Sequence, residues 1–76
     1  MTSGSTRRWD AGDMGCGELL VHLKLRFREL PDGTLFELVA KDPGAPEDIP
    51  AWSRMTGHAL LRAEHPNYRF RVTHGK

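Results

Sequence analysis

The sequence has a single cysteine, Cys16, so an internal disulfide framework is excluded and only the four histidines remain as other soft metal ligands. It has no surplus of charge of either sign. Eleven Lys and Arg stand against ten Asp and Glu, a formal net charge of +1, far below the basic excess that phosphate-dominated binding needs. No apolar run approaches the roughly 18–20 residues of a membrane span. The start, Met1 to Arg8, is polar where a signal peptide has its apolar stretch, so the cytoplasm is the expected compartment. Repeats and low-complexity tracts are missing too. So are paired catalytic carboxylates and a Ser-His-Asp set, and Gly12-Asp13-Met14-Gly15-Cys16-Gly17 lacks the Lys-Ser/Thr ending of a phosphate loop. His22, His58, His65 and His74 show no ligand spacing with Cys16, so no metal and no other cofactor is expected.

What remains is a small folded chain. Its 76 residues are 38% hydrophobic and 28% charged, which suits a globular unit and leaves no room for multidomain catalysis. Ordering a chain of this length costs on the order of 100 kcal/mol of conformational entropy, so nearly every large apolar side chain is needed in the core. Residues 1–5 carry too little apolar surface to be held against it and are expected to be disordered; residues 6–76 are expected to form one domain. Pro31-Asp32-Gly33, Asp42-Pro43-Gly44-Ala45-Pro46 and Pro66-Asn67 break the chain into single secondary elements.

Leu35 to Ala40 is a short apolar-rich run between breakers and reads as a strand. Tyr68, Phe70 and Val72 alternate with Arg69, Arg71 and Thr73, which predicts a strand with one buried face. His58 to His65 precedes it closely enough for an antiparallel hairpin, although Leu60 beside Leu61 spoils its alternation. Between Pro46 and Thr56 the spacing predicts a helix with Ile49, Trp52 and Met55 on one side, ended by Gly57. Trp52 belongs to the core in that reading and has no chemistry. The segment after Cys16 fits two periods. Val21, Leu23, Leu25 and Phe27 alternate as in a strand, whereas Cys16, Leu19, Leu20, Leu23, Phe27 and Leu30 form the stripe of a helix.

Asp42-Pro43, Asp48-Ile49-Pro50-Ala51-Trp52, Arg54, Gly57-His58 and Leu60 follow the pattern DP…DIPAWxRxxGHxL in order and spacing. Upstream, Asp10-Ala11, Met14 and Cys16 follow DARGLxCPxP, with Met14 in place of its leucine. With these residues the sequence resembles the TusA (SirA-like) family of small sulfur-carrier proteins, over nearly the whole chain from Arg8 to Val72. Gly12, Asp13, Gly17 and Leu19 depart from that pattern, and of CPxP only the cysteine survives. The resemblance implies an α/β two-layer sandwich of order βαβαββ, with two helices on one face of a four-stranded mixed sheet. It therefore favours helix for Gly17 to Leu30, and Val21 and Leu25 then face outward as a candidate docking spot.

The resemblance also implies that Cys16 is the catalytic residue, a sulfurtransferase-type carrier. It would take a sulfane sulfur from a donor protein such as a cysteine desulfurase, hold it as a persulfide and pass it to a downstream acceptor. A cysteine at a helix start meets unpaired amides and the positive end of the dipole, both of which favour the thiolate. Asp13 and Glu18 act in the opposite sense if they are close. Gly12, Gly15 and Gly17 predict an accessible sulfur. Against this stand the plain reading of a free cysteine as a small core hydrophobe and, on the same scaffold, a non-catalytic interaction or regulatory module. RNA binding through Lys24, Arg26 and Arg28 is a further alternative, disfavoured by the charge balance.

Overall fold

The computed structural model describes residues 6–74, so the expected disorder of residues 1–5 lies outside the described residues. The elements are β1 (Thr6–Asp10), α1 (Cys16–Arg28), β2 (Leu35–Val39), α2 (Ala45–Thr56), β3 (Ala59–Glu64) and β4 (Asn67–Arg71), the expected βαβαββ order. The strands form one mixed sheet in the spatial order β1-β2-β4-β3. β1 and β2 are parallel, as a helical crossover requires, while β4 runs antiparallel to both neighbours.

The helical reading of the segment after Cys16 holds because tertiary burial selects the stripe. Cys16, Leu19, Leu23 and Phe27 are buried in α1, and Val21 and Leu25 are exposed on its outer side. Those side chains pack on Phe36 and Leu38 of β2 and on Tyr68 and Phe70 of β4, the alternate residues that strand geometry sends to one face. Phe27 is the centre of this core. Its ring lies 4.7–5.5 Å from those of Phe36, Trp52, His58 and Phe70, at steep interplanar angles of 69–88° that suit aromatic quadrupoles.

Two expectations about packing are refined. In α2, Ile49 and Trp52 are buried but Met55 is 77% exposed. Six residues at 100° each rotate Met55 about 120° away from Ile49, and Ser53, one helical turn from Ile49, takes the inner side instead. In β3, the Leu60-Leu61 pair that breaks the alternation is a bulge. Leu60 faces Phe70 and Arg62 faces Arg69, which leaves Leu61 as the extra residue, 46% exposed. Gly57 ends α2 in the left-handed conformation, φ 88°, where its amide bonds to the Ser53 carbonyl at 2.9 Å.

The end of the core remote from Cys16 is closed by two histidines. The His58 ring stacks on Trp52 at 5.6 Å and accepts the Thr73 N–H on Nδ1 at 2.9 Å. Burial, then the neighbouring His74, hold its pKa below the ordinary histidine value. The unfolded chain therefore takes up this proton first as the pH falls. The contribution of neutral His58 to stability is complete above the ordinary histidine pKa of about 6.5 and is lost on acidification through and below it. Denaturant midpoints measured across that range should fall as the pH falls, and less steeply in His58→Gln.

Candidate functional site

Cys16 owes its place to two loops tied together at one edge of the sheet. After β1 the Ala11 amide bonds to the Val39 carbonyl at 2.8 Å, and the Lys41 amide bonds to the Gly12 carbonyl at 3.0 Å. Between these ties the chain turns at Gly12, whose φ of 58° is a conformation that glycine adopts without a Cβ penalty. Gly15 then caps α1 in an extended conformation, and Cys16 is the first helical residue.

The second loop brings a carboxylate to the sulfur. Asp42 follows β2, and its Oδ2 accepts the Gly44 amide at 2.9 Å in a side-chain turn that starts α2. The same oxygen accepts the Cys16 thiol at 3.1 Å. Asp48, in the first turn of α2, is the second carboxylate acting on this thiol. A Cβ built on Gly44 would lie 3.0 Å from the Asp42 Oδ2 and 3.4 Å from that of Asp48, so the two carboxylates converge.

The expectation of an accessible sulfur is corrected here, and the direction of its ionisation, left open by the sequence, is settled upward. Cys16 is only 8% exposed and is part of the core cluster. Its pKa is pushed up to about 12 by burial first, then by the hydrogen bond to Asp42 and the charges of Asp42 and Asp48. Any pull of the helix start toward the thiolate is outweighed. A helix terminus is worth about 0.3–1 kcal/mol to a charge, whereas a full like charge 4 Å away costs about 4 kcal/mol at the effective dielectric near a protein surface. The opposing carboxylates are also not the ones expected. Glu18 turns to His22 on the exposed side of α1, 3.7 Å away, and neither it nor Asp13 enters the balance at the thiol.

Gly17 supplies a local reason for the burial. A proline at 17 would disfavour the helical conformation at the residue before it, and glycine removes that restriction, so Cys16 joins the helix and turns its side chain inward. The flanks stay open, since a Cβ at Gly15 or Gly17 would meet no heavy atom within 4 Å.

Sequence reasoning treated Asp42 and Asp48 as motif positions without assigning them chemistry, and it placed Tyr68 only in a strand. Burial raises the Tyr68 phenol, and a charge on Cys16 raises it further, so the two groups lie within electrostatic reach. The phenol oxygen is 2.7 Å from His65 Nδ1. The basic residues of α1 are partly used inside the fold, with the Arg26 guanidinium 4.2 Å from the centre of the Trp9 ring. Among the described residues no group of His, Cys, Asp and Glu has the arrangement of a metal site.

A family model described as Sulfurtransferase TusA matches residues 7–74. The chain is 40% identical over 52 residues to Putative sulfur carrier protein YrkI of Bacillus subtilis (strain 168), covering 68% of this chain and 69% of that protein. It is 34% identical over 55 residues to Sulfur carrier protein TusA of Pseudomonas putida (strain W619), covering 72% and 69% of the two chains. A 36% match over 55 residues to Putative sulfur carrier protein YrkF of Bacillus subtilis (strain 168) spans 72% of this chain but only 30% of that longer protein.

Removing the Asp42 charge without changing its shape should bring the thiol down from about 12 toward the ordinary range. Asp42→Asn should therefore be alkylated by iodoacetamide at least tenfold faster than wild type at pH 8, a rate that follows the thiolate fraction. Gly17→Pro should raise the alkylation rate by a different route, by moving Cys16 out of the helix. The readout that separates the two is the amide shifts of residues 15, 16 and 18, which Gly17→Pro changes and Asp42→Asn largely preserves.

Proposed function

The chain belongs to the TusA family of sulfur carriers, and from that premise we propose that Cys16 relays sulfane sulfur as a persulfide, with Asp42 handling its proton. The observation that carries this reading is the 3.1 Å thiol-to-carboxylate hydrogen bond beside an unobstructed glycine flank. Asp42 is thus placed within reach of the proton that must leave before the sulfur can attack.

The transfer balances as follows. As Cys16 Sγ attacks the terminal sulfur of a donor persulfide, its proton passes to the Asp42 carboxylate. The new bond joins Sγ to the terminal sulfur, and the bond that breaks joins that sulfur to the donor's cysteine. The donor leaves as a thiolate and takes the proton from Asp42. Nothing is oxidised or reduced overall, and no co-reactant is consumed. Delivery to an acceptor runs the same exchange with the roles reversed.

In the free protein the raised pKa keeps the sulfur a thiol and guards it against stray electrophiles and oxidation. A donor that buries its persulfide against Gly15 and Gly17 brings the electrophile to the thiol only at the moment of transfer. Val21 and Leu25, 59% and 49% exposed on the outer side of α1, offer apolar surface for holding that donor. A cysteine desulfurase is the class of donor that fits; the acceptor is a second protein of the same exchange chemistry, in the cytoplasm.

The 8% exposure of Cys16 favours a second reading, in which the scaffold is an interaction or regulatory module and the cysteine a core residue. Intact mass spectrometry separates the two. After incubation with a cysteine desulfurase and cysteine, wild type should gain the mass of one sulfur, a thiol reductant should remove it, and Cys16→Ser should gain none. A wild type that gains nothing, or a Cys16→Ser variant that gains as much, overturns the relay and leaves the module.

A further inference from the structure

We propose that the open face of the sheet, opposite the helices, is a docking surface for an acidic segment of a partner protein. One register row crosses all four strands there. Arg8 lies opposite Glu37, Glu37 opposite Arg69, and Arg69 opposite Arg62. Like charges set directly opposite each other destabilise a sheet, so the Arg62–Arg69 pairing invites a counter-charge. Glu37 supplies only part of it. Its Oε2 is 2.6 Å from Arg69 Nη2, and that hydrogen bond, with the charges of Arg69 and Arg8, holds Glu37 below the usual carboxylate range. Arg62 has only a loose contact to Glu64 at 3.7 Å, and Arg8 takes part in none of the ion pairs among the described residues. Between the row and Asn67, over Val39, lies a hollow of about 290 Å³.

The spacing of the charges selects the occupant. Four strands about 4.8 Å apart put Arg8 and Arg62 about 14 Å from one another, with the neutralised Glu37–Arg69 pair between them. An extended peptide rises about 3.4 Å per residue, so carboxylates at i and i+4 on one side span the same distance. Each can then meet one guanidinium in the two-pronged geometry that arginine and carboxylate share. A single-stranded nucleic acid carries a charge on every nucleotide and would have to lay phosphates over Glu37 and Glu64, which lie on the same face. The face therefore suits a protein with spaced acidic residues. It is separate from the helix side that holds Cys16, so a partner held here leaves the sulfur free.

The test uses the full chain and a synthetic peptide of Ser, Thr and two Glu placed four residues apart, followed by amide shifts at low ionic strength. The peptide should move the amides of Arg8, Arg62 and Arg69 and bind Arg8→Ser/Arg62→Ser roughly tenfold more weakly. Glu37→Gln, which frees Arg69, should bind more tightly. Cys16→Ser and Lys24→Ser/Arg28→Ser should bind as wild type does, so failure of the sulfur relay leaves this result intact. Shifts confined to α1, no shift at the row, equal affinity for a peptide with the two Glu adjacent, or stronger shifts from an oligouridylate would each overturn the proposal.

Discussion

The hydrogen bond from the Cys16 thiol to the Asp42 carboxylate is the contact on which the proposed chemistry of this fold depends. It joins the starts of two helices. Cys16 opens α1, and the same carboxylate oxygen takes the Gly44 amide just ahead of α2, so one oxygen serves both the turn into α2 and the thiol. A helix start alone would lean toward the thiolate; burial first, then the carboxylate in contact, make the thiol the resting form. The sulfur of this chain is consequently guarded at rest. In the proposed relay its reactivity is set by whatever relieves that contact or accepts the proton through it.

The rest of the fold fixes those two loops in place. The parallel pairing of β1 with β2 brings their ends side by side, and the Ala11 and Lys41 amide bonds tie the loops that follow. Behind them α1 and α2 pack into one core that includes Cys16 and Ala45, the first residues of the two helices, so both helix starts are seated on buried apolar side chains. The open face of the sheet, with its arginines, is left clear of this machinery. A chain this short thus presents two unlike surfaces, an acidic notch at the helix starts and a basic row on the opposite side.

Much of the architecture was legible in the residues. The alternation of Tyr68, Phe70 and Val72 marks a buried strand face, and Gly57 marks the end of α2. The Leu60-Leu61 irregularity is the written trace of a bulge. Periodicity left the segment after Cys16 undecided, because Val21, Leu23, Leu25 and Phe27 alternate as a strand would; only packing against the sheet selects the helical stripe. The environment of Cys16 was legible only in part. Its place at a helix start could be read, but the carboxylate that governs it is 26 residues away in sequence and is brought near by strand pairing. Local spacing around Cys16 pointed to Asp13 and Glu18 instead, neither of which takes part.

The direct test is a pH titration of the cysteine S–H stretching band in infrared difference spectra of the wild-type protein, with Cys16→Ser as the blank. A thiol held by Asp42 keeps its band, shifted by hydrogen bonding, well beyond the pH at which an ordinary cysteine of pKa about 8.5 has ionised. A band already gone at neutral pH would contradict this, since it would mean that the sulfur rests as a thiolate and that the carboxylate does not control it.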